Sequence, residues 1–233
     1  MDVGRSVRAN LRGAVEVAGH LLAAPLLRRR HATWGATPAE VRGALPGDEL
    51  LAPGASATTR AITVAAPPER VWPWLVQVGQ GRGGFYSFQR LENLARCRIR
   101  NVDRILPHLQ TLAAGDDVRL AATAPPLRVA RLEPERDLVL AGGPAGGPAV
   151  GRWSLHVRPL PEGRSRLVER VSFAPASAAP VRLLARLGVL EAVPFVMGRE
   201  MLRNIRALAE RSSPGARARG AASEVPVVGP VLA

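Results

Sequence analysis

The sequence predicts an α+β domain in which an antiparallel sheet is covered on one face by a long C-terminal helix. Three observations carry that prediction. Apolar residues alternate over 127–132, 137–141, 151–159 and 166–174, and the runs are parted by Glu133-Pro134-Glu135-Arg136, the Gly/Pro segment 142–148 and Pro161-Glu162-Gly163. Over 180–211 the period changes: Val181, Leu184, Leu187, Val193, Val196, Met197, Met201, Ile205 and Leu208 recur mostly at three- and four-residue steps. Finally, 233 residues that are 47% hydrophobic suffice for one sizeable core plus tails. A run of strands must bury one face, and the amphipathic helix is its cover. Where such a sheet curves, a space opens beneath the helix, and an apolar lining there favours an apolar guest.

Taken in order, residues 1–30 read as an amphipathic helix. Arg5, Arg8 and Arg12 precede the apolar stretch 13–27, which contains Glu16 and His20 and ends at Arg28-Arg29-Arg30. Three arginines stand where a signal peptide would need a small-residue cleavage site. The run is also shorter than the roughly 20 apolar residues of a spanning helix. A helix packed on the domain is favoured over one lying on a membrane face. Residues 31–57 read as a Gly/Pro-punctuated connector, and 58–65, β-branched and alternating, as a strand. Ala66-Pro67-Pro68-Glu69 opens a short helix striped by Val71, Trp72, Leu75, Val76 and Val78, with Pro73 harmless if it falls in the first turn. A glycine turn, 79–84, leads into a helical or irregular stretch, 85–112, and then Val118-Arg119-Leu120. Gly188 and Pro194 should split or kink the C-terminal helix, and 212–233 reads as a disordered tail.

Charge and composition exclude several functions. All 32 basic residues are arginine, and the net charge of +13 attracts anionic surfaces. The arginines are nonetheless dispersed among acids through the core of the chain, without the dense stripe or docking motif of a specific nucleic-acid binder. Cys97, the single cysteine, allows no internal disulfide and reads as a small hydrophobe on a helix. His20, His31, His108 and His156 lack paired metal-ligand spacing, so no metal is expected. Gly79-Gln80-Gly81-Arg82-Gly83-Gly84 matches a dinucleotide fingerprint in letters only, because a helix rather than a strand precedes it; no cofactor is expected.

Several blocks resemble bacterial members of the SRPBCC superfamily, the START-like and polyketide-cyclase-like group. They are Trp34-Gly35-Ala36-Thr37, Leu45-Pro46-Gly47-Asp48-Glu49, residues 67–77, Arg82-Gly83-Gly84-Phe85-Tyr86-Ser87, Arg104-Ile105-Leu106-Pro107, Gln110-Thr111-Leu112, Gly115-Asp116 and residues 195–202. Phe85 departs from the Trp such proteins carry there. The resemblance covers about residues 31–211 and implies a helix-grip fold, a strongly bent antiparallel sheet wrapped around the C-terminal helix with a cavity between. It implies either binding of lipids, sterols, polyketides or hormones, or cyclisation and dehydration in the same cavity; fold alone leaves both open.

The expected function is therefore binding or carriage of a small hydrophobic or aromatic ligand in an internal cavity of a 31–211 domain. The alternatives are a polyketide cyclase or dehydratase using acid–base side chains, and a membrane-peripheral lipid handler held by the N-terminal helix of a cytoplasmic protein. No catalytic residue is assigned. The candidate ligand-binding residues are Arg82, Phe85, Tyr86, Ser87, Trp153, Glu169, Arg170, Met197 and Met201. Strand alternation would take Glu169 inward and leave Arg170 and His156 outside, whereas the resemblance points to Arg170. Arg82, Tyr86 and Ser87 either line the cavity mouth or fix the insert to the sheet.

Overall fold

The computed structural model describes residues 3–51, 54–94, 96–122, 124–143, 149–174, 187 and 189–211, apart from the side chains of 3–9, 189 and 190. The expected tail, 212–233, and the predicted helix start, 180–186, lie outside them. Among the described residues, six antiparallel strands form one curved sheet: β1 (Ser56–Val64), β2 (Asp117–Val118), β3 (Leu127–Glu133), β4 (Asp137–Gly142), β5 (Gly151–Leu160) and β6 (Arg164–Phe173), in the order β1-β6-β5-β4-β3-β2. The predicted strands are found within a residue or two of their expected ends. The helices are α1 (Val3–Leu22), α2 (Ala24–Thr33), α3 (Pro38–Arg42), α4 (Pro68–Val76), α5 (Gln89–Leu94) and α6 (Val189–Arg211).

Alternation fixes what each face of the sheet carries. Ile62, Val64, Leu138, Leu140, Trp153, Leu155, Val157 and Leu167 turn to the concave side and pack with Trp72, Leu75, Met201, Leu202 and Ile205. The opposite face is not left to solvent. Segment 38–51 lies over it, and Arg166 on β6 reaches Glu40 at 2.7 Å and the Gly35 carbonyl at 2.5 Å. Residues along β5 and β6 are therefore buried in near-continuous runs.

Five local expectations need correcting. The N-terminal helix is two helices, parted at Ala23, because Pro25 at the second position of α2 lacks the N–H a continuous helix needs. Segment 31–57 is partly helical: α2 runs into it, and α3 is opened by a capping box in which Thr37 Oγ1 accepts from Glu40 N and Glu40 accepts from Thr37 N. Pro73 lies in the interior of α4, not its first turn, so the Glu69 carbonyl loses its intrahelical donor; burial of Trp72, Trp74 and Leu75 offsets that cost. Helix α6 continues through Pro194, so the chain is not split there, and Gly188 lies outside the described residues. Cys97 falls after α5, not on a helix, and its thiol is raised by burial.

Helices α1 and α2 pack on α6 as the favoured reading of the N-terminus expected. Arg12 meets Glu200 at 2.7 Å, Arg199 pairs with Glu16, and α2 also rests on β1. His31, fully buried, stacks on Phe195 with ring centres 4.5 Å apart.

Candidate functional site

A recess of about 330 Å³ opens between the insert that follows α4 and the C-terminal half of α6. Asn204, Ala207, Leu208 and Arg211 line one side, and Tyr86, Ser87, Asn101, Val102 and Asp103 the other. The helical residues fall at i, i+3, i+4 and i+7, which is one face of α6.

The insert wall is built by amides. Tyr86 has φ +57°, a left-handed backbone that costs a non-glycine residue energy and must be held by its surroundings. Asn101 Oδ1 accepts from the N–H groups of Phe85 and Tyr86 at 2.9 and 2.8 Å, Asn101 Nδ2 donates to the Ser87 carbonyl at 3.0 Å, and Asn204 Nδ2 donates to the Tyr86 carbonyl at 2.6 Å. Gly84 makes this approach possible: at φ +82°, a Cβ there would lie 2.3 Å from Asn101 Oδ1. Beneath, buried Gln77 donates to the Tyr86 hydroxyl at 2.9 Å and to the Arg104 carbonyl at 3.1 Å, and its Oε1 accepts from Leu106 N at 3.0 Å. The Tyr86 hydroxyl in turn donates to the Trp74 carbonyl at 3.2 Å, and burial raises its pKa far above that of a free phenol. Arg82 donates to the carbonyls of Val76 and Leu109 at 2.8 and 3.2 Å, tying the glycine turn to α4. Burial raises the Glu92 carboxyl, which accepts from Ser87 Oγ.

The glycine segment 79–84 folds back on itself, with Gly79 and Gly84 bridged, and follows helix α4. That is the glycine turn its context implies, and among the described residues no βαβ unit surrounds it. Among the described residues no group of three or more His, Cys, Asp or Glu is arranged to hold a metal ion.

Of the other candidates, Glu169 faces α6. Its Oε2 meets Arg60 at 3.2 Å and its Oε1 accepts from Trp153 Nε1 at 3.0 Å, all three residues being buried. The helix approaches this network at Gly198, where a Cβ would lie 3.0 Å from Glu169 Oε2 and 3.1 Å from an Arg60 nitrogen. Phe85 meets Trp153 edge to face at 5.9 Å, and Met201 packs in the same core. Met197 belongs to a neighbouring cluster with Phe88, Phe195 and Val196. Thus Tyr86 and Ser87 line the recess, Phe85, Trp153, Glu169 and Met201 lie on the concave side, and Arg82 and Met197 stand apart from both.

Arg170 lies on the outer face, as alternation requires, yet it is buried. It donates to Thr59 Oγ1 at 2.9 Å, to the Gly43 and Glu40 carbonyls at 3.0 and 2.5 Å, and to Asp48 at 2.6 Å. Asp48 also pairs with Arg152. Burial alone would raise the Asp48 carboxyl; the Leu45 N–H and the two arginines override it and hold it below the usual carboxylate range. His156, also outward, is fully buried against Asp137 at 2.6 Å, and burial lowers its pKa despite that partner. A groove of about 510 Å³ runs beside this clamp, bordered by Val41, Leu51, Arg152 and Arg170.

Sequence reasoning missed Arg60, Asn101 and Asn204. Arg60 alternates inward with Ile62 and Val64, and that phase is the signal that places it opposite Glu169. No signal pointed to the asparagines, because their partners are backbone groups of distant turns.

No family profile matches the sequence, and no curated protein does. Among solved structures the chain is similar to the ZhuI aromatase/cyclase from Streptomyces sp. R1128, at 16% identity over 70% of this chain and 98% of that one, TM-score 0.39. It is also similar to the Polyketide_cyc-like protein Cgl2372 from Corynebacterium glutamicum (14% identity, 77% and 100% covered, TM-score 0.33) and to the Aha1 dimer from Colwellia psychrerythraea (14%, 66% and 96%, TM-score 0.39). The fold assignment rests on the strand order, the curved sheet and the helix seated on its concave side. Together these form the helix-grip arrangement expected from the sequence.

Proposed function

We propose that this chain binds a small, mainly apolar molecule with one polar end in the recess between the insert and α6. One observation carries the reading: a recess of about 330 Å³ is floored by Tyr86 and Leu208, which belong to the hydrophobic core, and rimmed by Ser87, Asn101, Asp103, Asn204 and Arg211. That volume is at the small end of ligand sites, and an apolar floor with a few convergent polar groups is their usual composition. The site lies toward the end of the helix, because midway along it Trp72, Trp153, Leu155, Met201 and Leu202 pack together. Binding is preferred over cyclase or dehydratase chemistry because the buried acid–base groups of the insert are already engaged, Tyr86 with Gln77 and the Trp74 carbonyl, Glu92 with Ser87, and the remaining acid, Asp103, is an exposed rim residue.

Native mass spectrometry of the purified protein, with extraction of any copurified molecule, tests this. Ala207→Trp, at an exposed position, should fill the recess and remove the bound mass while leaving the melting temperature within a few degrees. A bound mass that survives this substitution unchanged would place the site elsewhere.

A further inference from the structure

The inner face of α1 and α2 is committed to α6, but the outer face is unpartnered among the described residues and of one character. Leu11, Val15, Leu22 and Leu26 are 65%, 66%, 88% and 89% exposed. Spacings of four and seven residues put Leu11, Val15 and Leu22 on one stripe of α1, about 16 Å long at 1.5 Å per residue, and Leu26 follows in the first turn of α2. Arg28, Arg29 and Arg30 are exposed at its C-terminal end. Between residues 3 and 33 the sequence has six arginines and one acid, Glu16. Glu16 is turned inward, onto Arg199. The outer face therefore combines large apolar side chains with the exposed Arg28, Arg29 and Arg30, which make no ion pair among the described residues.

We propose that this face docks flat on an anionic lipid bilayer, the leucines and valine entering the acyl boundary and the arginines pairing with lipid phosphates. No helix among the described residues is long and apolar enough to cross a membrane, so the contact is peripheral. Charge decides the occupant. A second copy of the same face would bring two clusters of arginine together within a chain of net charge +13, whereas an anionic surface neutralises them. Docking needs no rearrangement, since the Arg12–Glu200 and Arg199–Glu16 pairs and the His31–Phe195 stack keep the inner face seated. This inference is independent of the recess.

Deleting the helices would not test it cleanly, because the His31 carbonyl accepts from buried Arg60 at 3.0 Å. Point substitutions on the outer face serve instead. Full-length protein should sediment with vesicles containing phosphatidylglycerol, far less with pure phosphatidylcholine, and less as salt rises. Leu22→Gln with Leu26→Gln should lower the partition coefficient about tenfold or more, and Arg28, Arg29 and Arg30→Gln together should abolish the preference for anionic lipid, each with an unchanged circular dichroism spectrum. Absence of sedimentation with anionic vesicles would overturn the proposal. So would leucine variants that bind as the parent does, which would reduce the effect to general basic charge. Leucine-dependent dimers in sedimentation equilibrium, without vesicle binding, would assign the face to a second copy.

Discussion

Glu169 is a carboxylate on an otherwise apolar face, held between Arg60 and the Trp153 indole. Removing one member of a buried ion pair leaves the other uncompensated, a loss of roughly 3–5 kcal/mol. Glu169→Ala should therefore destabilise strongly in urea titrations. Arg60→Met with Glu169→Leu should recover most of that loss, because no charge is then left buried. His31 sets a second residue-scale expectation. Its ring shares a 2.9 Å contact with His20, and burial, followed by His20 and the arginines Arg60, Arg199 and Arg30, lowers its pKa to about 4. Unfolded, the group titrates near 6.5, so between about pH 6.5 and 4 the unfolded chain binds a proton that the folded chain refuses. Stability contributed by neutral His31 is whole above pH 6.5 and falls as the pH drops toward 4, by about 3 kcal/mol at most. Denaturation midpoints across that range, with imidazole NMR showing His31 still neutral near pH 5, check the sign.

At the scale of elements, the clamp made by Asp48 governs how segment 38–51 lies on the sheet. Asp48→Ala leaves Arg152 and Arg170 without their carboxylate. Hydrogen exchange should then speed up across 38–51 while β5 and β6 retain protection, with a global cost of about 3 kcal/mol. This clamp also marks where the sequence stopped being legible. The strands, their faces and the covering helix were readable because alternation and helical period are local signals: Glu169 fell inward and Arg170 outward as the phase of β6 required. Burial of the outward residues was not readable, since it depends on a distant segment whose composition resembles a loop. For the recess, Tyr86 and Ser87 were singled out from the glycine turn. Asn101 and Asn204, which hold that wall in a left-handed backbone, were hidden by partners 14 to 16 and 118 residues away.

For the molecule as a whole, the N-terminal helices complete the core as well as decorating it. His31 and Phe195 stack beneath them, and Arg60 bonds the His31 carbonyl. A chain begun at Thr37, which lacks α1, α2 and Trp34, should lose several kcal/mol and bind a dye specific for exposed apolar surface. Both broad sides of the sheet are covered, one by α6 and the other by segment 38–51. The β1 flank is closed where Ala61 N donates to the Trp34 carbonyl at 3.0 Å, and the opposite flank ends in a strand of two residues, with the Arg119 carbonyl taken by Gln80 N at 2.8 Å. An extended foreign peptide would meet α2 and the Trp34 turn where it approaches the middle of β1, and only a two-residue strand at the other margin. Pairing of this ribbon with a second one is thereby hindered at both margins while the native state persists.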